Sequence, residues 1–278
     1  MSLIRTCLLL VLPFLLGACY TPRYVYSPAA TNVPVLEKKG DNKLAVYYST
    51  SPFSNASSKQ FNNYGIDIQT AFAISRHWAV MANESIRYEK NSGDFDFSLS
   101  DSAVIRYRRN LTEIGGGYYT SLPGAGNLRF QCMGGLGLGN FSMNDNGKNN
   151  LNQYYSRFHE TRITKFFIQP AIQLRYNKFF STSFATRFTV LWFNDIRTNY
   201  TADELQAFLL NELSSSPRTF LEPAMINIFS FKKLPAYKLE LQFGFASLVS
   251  HRFVDYRSIN ISAGASVDLS KLKKKERS

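Results

Sequence analysis

Alternation of apolar and polar residues, sustained over long runs, is the feature that most constrains the fold of this chain. The run KLELQFGF (238–245) is typical, because its odd-numbered residues are apolar and its even-numbered residues are polar or small. A period of two is the side-chain period of a β-strand. Soluble strands are typically about 5–6 residues long, whereas a tilted strand needs about 9–11 residues to cross a bilayer. The runs here have the second length, which predicts a transmembrane barrel rather than a sandwich.

The sequence contains about ten segments of this kind, an even number, as is the rule for bacterial single-chain barrels. They lie near 43–50, 64–75, 78–90, 104–122, 127–143, 157–176, 180–196, 218–231, 237–249 and 257–270. In the fourth segment the alternation slips between Arg109 and Glu113, which suggests a bulge. We therefore predict an all-β fold, a closed antiparallel up-and-down transmembrane β-barrel of about ten strands.

The connections between the segments alternate in length. Those after segments two, four, six and eight are short, those after one, three, five and seven are long and polar, and the ninth is intermediate. In outer-membrane barrels the short turns are periplasmic and the long loops are outside. With an even number of strands, both termini are expected on the short-turn, periplasmic side.

One long loop contains the stretch TADELQAFLLNEL (201–213). Thr201 and Glu204 fit a capping box. Apolar residues then recur at helical spacing, namely Leu205, Phe208, Leu209 and Leu213. The stretch predicts one short extracellular helix whose apolar face packs on its own barrel.

The N-terminal residues have the pattern of an export signal. Arg5 precedes an apolar run, 8–16, which is too short to span a bilayer. The run ends in Leu-Gly-Ala-Cys (16–19), which resembles the lipobox of bacterial lipoproteins. The resemblance implies cleavage before Cys19 and acylation of its thiol. Because both termini are expected on the periplasmic side, the anchor is expected in the inner leaflet of the outer membrane. The alternative is an ordinary signal peptide followed by a chance cysteine.

These features divide the chain into four parts. Residues 1–18 are a lipoprotein signal peptide, 19–42 a proline-containing periplasmic tether, 43–270 the barrel, and 271–278 a basic C-terminal tail. The formal net charge is +12, and a basic protein can bind nucleic acid. An exported chain without a recognition helix does not fit that use, so we expect no nucleic acid partner. The tail fits anionic head groups or is simply solvated.

Polar residues on the other face of the strands are expected to fill the lumen. A lipid-facing Arg or Lys costs about 2–4 kcal/mol at the bilayer midplane, so charges should point inward. In a narrow barrel, charges of both signs should pair there rather than line a pore. The predicted inward-facing polar residues are Gln169, Arg175, Arg187, Glu222, Glu240 and Asp268.

Several stretches resemble a family of Bacteroidetes-type outer-membrane β-barrel proteins of unknown function, many of which carry lipoprotein signal peptides. They are NVPVLEKKGD (32–41), DIQTAFAISRHWAVMAN (67–83), EIGGGYY (113–119), FQCMGGLGLGN (130–140), FIQPAI (167–172), FLEPAM (220–225) and NISAGASVDL (260–269). The resemblance implies a barrel of eight to ten strands and no established catalytic residues.

The leading hypothesis is a lipid-anchored outer-membrane barrel with a structural or interaction role, surface loops and no catalysis. Its expected partners are outer-membrane lipid and surface or periplasmic proteins, while the oligomeric state stays open. We expect no cofactor, and the cysteine spacing gives no metal site.

Three alternatives remain. The first is a small porin-like channel. The second is a lipid-modifying enzyme using Ser156, His159 and Glu160. The third is a soluble periplasmic lipocalin-like binding barrel, which requires apolar residues such as Phe243 and Ile261 to face the lumen.

Overall fold

The computed structural model describes residues 23–52, 60–94, 102–122, 124, 127–148 and 153–275, and these form a closed antiparallel β-barrel. The strands are β1 (Asn42–Thr50), β2 (Gln60–Ala73), β3 (Trp78–Asp94), β4 (Ser102–Ser121), β5 (Leu128–Lys148), β6 (Tyr154–Arg175), β7 (Phe180–Thr198), β8 (Arg218–Ser230), β9 (Tyr237–Phe245), β10 (Ser247–Leu248) and β11 (Ile259–Val267). The short β10 prolongs β9 along β8, so the wall has ten strand positions. Each strand pairs with the next, and β11 closes the wall against β1. The predicted fold class is confirmed.

The strands follow the predicted segments closely, with two differences. β4 keeps an unbroken register with both neighbours, so the bulge expected between Arg109 and Glu113 is wrong. The alternation only looked irregular because β4 turns both apolar and charged side chains inward. A register shift lies instead between β6 and β7, at Glu160 and Arg162, opposite Asp195, whose φ is 51°.

The connections alternate as expected, with one exception. The short connections 74–77, 122–127, 176–179 and 231–236 lie at one mouth of the barrel, which we call the short-turn mouth. The other mouth, the long-loop mouth, carries the described connections 199–217 and 249–258, and the strand ends on either side of 51–59, 95–101 and 149–153 lie there too. The expected long loop after the fifth segment is mostly strand, because β5 and β6 continue as a hairpin and leave only 149–153 between them.

The outer surface carries an apolar band between aromatic side chains. Trp78 and Tyr118 contact each other near the short-turn mouth, and Tyr64 stacks on Tyr88 nearer the long loops. Trp78 and Tyr88 are ten residues apart on β3. At about 3.3 Å per residue and a tilt of about 40°, this corresponds to about 25 Å, the height of the apolar band of a membrane-spanning barrel.

The apolar residues of the last strands face outward. Phe243 and Phe245 are 40% and 53% exposed, while Gln242 and Asn260 beside them are buried on the inner face. A soluble lipocalin-like barrel needs the opposite arrangement. The structure therefore contradicts that alternative.

Among the residues that the structure describes, two short helices flank the barrel. The loop helix α1 (Ala202–Ala207) begins at Thr201 with the predicted capping box to Glu204. It is shorter than expected, because the chain turns at Leu209, whose φ is 55°, and buries Leu213. The second helix, α2 (Leu269–Lys275), was not predicted and contains the start of the basic tail. Neither helix of the described chain is long and apolar enough to cross a membrane.

Candidate functional site

The lumen is occupied by the chain's own N-terminal residues, 23–41, which we call the lumenal segment. The sequence pattern predicts a periplasmic tether here, and that prediction is wrong for the part that the structure describes. Val25, Asn32 and Val33 are at most 1% exposed, so the segment lies inside the wall rather than in solution. Apart from a bridge at Tyr26, residues 23–37 have no regular secondary structure, which agrees with Pro28 and Pro34. The location of the segment in the lumen does not follow from these prolines.

The lumenal segment begins at the long-loop mouth. The Arg23 guanidinium lies 2.7 Å from the Asp145 carboxylate near the end of β5. Its backbone N–H donates to Asp255 in the loop before β11 at 2.9 Å, and the guanidinium packs over the Phe208 ring. Burial alone would lower the pKa of Arg23, but Asp145 beside it holds that pKa above its ordinary value. Arg23 is thus fixed between three elements of this mouth.

The next residues add a short pairing to the inner side of the loop before β11. Tyr26 forms a parallel β-bridge with Tyr256. The Val25 N–H donates to the Asp255 carbonyl and the Arg257 N–H donates to the Tyr26 carbonyl, both at 2.9 Å. The Tyr26 hydroxyl donates to Glu222. These backbone bonds remove the cost of burying unpaired peptide groups.

At mid-height, amide side chains of the wall bond the backbone of the lumenal segment. Gln69 and Gln169 donate to the carbonyls of Ala30 and Asn32, at 2.7 and 2.8 Å. Gln242 accepts from the Thr31 N–H at 2.9 Å. Since the three glutamines stand on β2, β6 and β9, the segment is held from different sides of the wall.

The lumenal segment ends at the short-turn mouth. Leu36 is buried in an apolar cluster with Met81, Tyr119 and Phe167, and Glu37 pairs with Arg129 and Arg175. Burial raises the pKa of Glu37, but Arg129 and Arg175 outweigh this and leave the pKa below its ordinary value.

The chain then reverses into β1. The Asp41 carboxylate accepts from two N–H groups of the turn, and the backbone N–H of Gly40, whose φ is +89°, donates to the Ala73 carbonyl. The lumenal segment thus runs the full height of the barrel. Its start and helix α2 lie at opposite mouths of the barrel, whereas the loop pattern of the sequence predicts both ends of the chain at the same mouth.

Behind the segment, buried charges of the wall form a connected cluster. Glu113 lies 2.9 Å from the Lys165 ammonium and 3.2 Å from the Arg187 guanidinium. Arg187 also donates to Gln169, and Asn83 donates to Glu113 at 2.9 Å. All five side chains are at most 8% exposed. Glu222, 3.9 Å from Lys165, is the second carboxylate beside the two cations. Each charge of the cluster thus has an opposite charge next to it, as buried charges require.

Two further buried pairs brace other parts of the inner face. Arg87 donates two hydrogen bonds to Asp67, at 3.0 and 2.8 Å. Lys43 lies 3.0 Å from Glu240. The expectation that inward charges fill the lumen in pairs describes these clusters well.

The residues predicted to face inward are placed as follows. Gln169, Arg187, Glu222 and Glu240 are buried in the lumen, and Asp268 is buried at the short-turn mouth. Arg175 also points to the inner side, but it stands at the rim, is exposed and pairs with Glu37. Cys19 and the signal peptide, 1–18, lie outside the described residues.

The suggested hydrolase residues do not come together. His159 points into the lumen and is fully buried, whereas Ser156 and Glu160 are exposed on the outer face of the same strand. In the described part of the chain, neither ring nitrogen of His159 has a hydrogen-bond partner. The same part contains no group of three or more His, Cys, Asp or Glu that could hold a metal ion.

Sequence reasoning missed the lumenal segment, although the sequence contained a sign of it. Residues 24–36 include no charged side chain and several Tyr, Val and Leu. A solvated linker is normally rich in charged and polar residues. A charge-free, partly apolar stretch next to a barrel could therefore have been assigned to a buried position.

Comparison with known proteins gives a likeness of fold only. No protein-family model and no curated protein matches the chain. Solved structures of bacterial outer-membrane β-barrels do resemble it. The outer membrane protease OmpT from Escherichia coli has a TM-score of 0.47 at 11% identity, over 86% of this chain and 100% of that one.

Two other solved structures of this class also resemble the chain. The translocator domain of the autotransporter NalP from Neisseria meningitidis has a TM-score of 0.46 at 10% identity, over 82% of this chain and 88% of that one. Ail of Yersinia pestis has a TM-score of 0.29 at 8% identity, over 83% and 97%. At these values we infer no activity or partner from the likeness.

Proposed function

We propose that the chain is an outer-membrane β-barrel lipoprotein with a structural or interaction role, whose lumen holds its own N-terminal segment. The outward apolar band supports the membrane location, because a soluble barrel would bury those side chains. The buried lumenal segment supports a barrel that is closed in its resting form. Outer-membrane lipid contacts the band, and the long-loop mouth is available to protein partners. No catalytic step is assigned to it.

The observation that carries the proposal is the direction of the lumenal segment. Arg23 lies at the long-loop mouth, and Cys19 is four positions before it in the sequence. Four extended residues reach about 14 Å at most, which is less than the band height of about 25 Å. An acylated Cys19 would therefore reach the leaflet at the long-loop mouth and not the opposite one. If the long loops are extracellular, the anchor is in the outer leaflet rather than the inner.

Surface labelling tests this placement. An epitope inserted between Thr21 and Pro22 should bind antibody on intact cells. The matched control is the same epitope in the turn 232–236, which should bind only after the cells are permeabilised. Labelling of the control alone on intact cells would show that the barrel has the reverse orientation. Labelling of neither insertion, with both proteins present in the membrane, would contradict the proposed path.

Lipidation and closure are tested separately. Radioactive palmitate should label the wild type and the Cys132→Ser variant, and a Cys19→Ser variant should take up none. In planar bilayers the purified full chain should give no discrete conductance, because the lumenal segment fills the bore. Discrete conductance of the unaltered protein would favour the porin-like alternative.

A further inference from the structure

A cavity of about 420 Å³ opens at the short-turn mouth, below the end of the lumenal segment. It lies between the turn at 37–41, the inner face of the wall and the start of α2. Seven of its lining residues are Lys or Arg and three are Asp or Glu. The site is therefore strongly cationic, in contrast to the balanced charge clusters deeper in the lumen.

The three carboxylates of the cavity are already engaged. Glu37 pairs with two arginines of the rim. Asp41 accepts from the N–H groups of Glu37 and Lys38. Asp268 lies 3.4 Å from Lys271 and accepts from the Ser270 N–H at 3.1 Å. They leave the remaining cations of the cavity without compensation.

Four lysines of the cavity have no carboxylate within ion-pair distance among the residues that the structure describes. They are Lys38, Lys39, Lys178 and Lys238. Lys238 is the most informative, because it points inward from β9 and is half-buried. Glu240 and Asp268 act on Lys238 only from beyond ion-pair distance. A partly desolvated ammonium group without a direct ionic partner is unfavourable, and a bound anion would supply that contact.

We propose that this cavity binds a phosphate-bearing anion. Lysine is a common phosphate ligand, and an arginine at the same site adds planar donors. One water molecule occupies about 30 Å³ in the liquid, so the cavity, at about 420 Å³, is larger than a lone phosphate requires. A phosphate ester of the size of glycerol phosphate fits. Such a group is shared by free phosphate esters and by phospholipid headgroups. The inference does not depend on lipidation of Cys19.

Calorimetry on the purified full-length barrel in a zwitterionic detergent tests the site. Glycerol 3-phosphate and dihexanoyl phosphatidylglycerol are the two probes. If both probes bind with similar affinity, the ligand of the cavity is assigned as a free phosphate ester. If the lipid alone binds, the ligand is assigned as a phospholipid headgroup. Lys238→Met should weaken the binding about tenfold, the loss expected for one charge-assisted hydrogen bond.

The matched control is Lys233→Met, which removes a lysine from the adjacent short turn but not from the cavity. It should leave the affinity unchanged. Absence of binding by either probe at millimolar concentration would overturn the proposal. So would an equal loss of affinity in both variants, because binding would then reflect the general charge of the rim.

Discussion

Replacing Glu113 by glutamine tests whether the buried charge cluster stabilises the barrel. Glu113 contacts both Lys165 and Arg187, at 2.9 and 3.2 Å. Glutamine keeps the shape of the side chain and removes its charge. Arg187 then has neutral amide oxygens as acceptors, that of Gln169 among them, in place of a carboxylate. Lys165 keeps the Tyr26 hydroxyl at 3.3 Å and the Glu222 carboxylate at 3.9 Å.

The expected loss is large because the two cations cannot leave the interior. Removing one partner of a buried ion pair typically costs about 3–5 kcal/mol, since the other charge stays buried and uncompensated. We expect Glu113→Gln to fall in this range. Adding Arg187→Gln should cost less than the sum of the two single changes, because residues of one network are coupled by about 0.5–3 kcal/mol.

Urea unfolding in lipid vesicles measures these free energies, with Trp78 and Trp192 as fluorescent reporters. Both indoles are on the outer surface, so their emission should shift when the wall leaves the lipid. The control is Glu160→Gln, which removes an exposed carboxylate from β6 and should change the free energy of unfolding by less than about 0.5 kcal/mol. A loss below about 1 kcal/mol for Glu113→Gln, the range of exposed pairs, would refute the reasoning.

The remaining predictions concern three other sites. Glu84 is on the outer face of β3 within the apolar band and accepts from the Thr112 hydroxyl. Glu84→Leu should raise the free energy of unfolding by about 1–2 kcal/mol in the same urea titration. A lower free energy of unfolding would contradict this prediction. Because the pKa of Glu37 is lowered in the fold, its contribution to stability is complete above its ordinary pKa of about 4.3 and is lost as the pH falls through the folded pKa. The urea midpoint of the wild type should therefore fall as the pH is lowered below the ordinary pKa. The midpoint of Glu37→Gln should fall less. A Cβ at Gly264 would overlap the Tyr47 ring, so Gly264→Val should lower the free energy of unfolding by about 1–3 kcal/mol. It should also weaken the band of the folded barrel on gels of unheated samples. An unchanged band would argue against tight packing at this position.

The wall could be predicted because its signal is local. Each strand shows its lipid face and its inner face in a period of two, and the loop lengths order the strands into an up-and-down barrel. The capping box at Thr201 is equally local and was found. The alternation gives the face of a residue but not its height, which explains why Arg175 was expected in the lumen and stands at the rim.

The contents of the barrel could not be predicted in the same way. The lumenal segment has no period of its own, because its conformation is set by wall residues far away in sequence, such as Gln69, Gln169 and Gln242. The pairing of Glu113 with Lys165 and Arg187 likewise depends on the registers of several strands together. The sequence shows that inward charges must be compensated, but not which charges meet.

The path of residues 23–41 has a consequence for biogenesis. The lumenal segment is synthesised before all of the strands. In the folded protein it lies inside a wall that is closed by the pairing of β1 with the last strand, β11. Threading it through a finished cylinder would carry Arg23, Tyr24 and Tyr26 past the buried ion pairs of the lumen, such as Lys165 with Glu113. We therefore expect these residues to pack against the concave side of the growing sheet before β1 pairs with β11. In that position they would guide the curvature of the sheet.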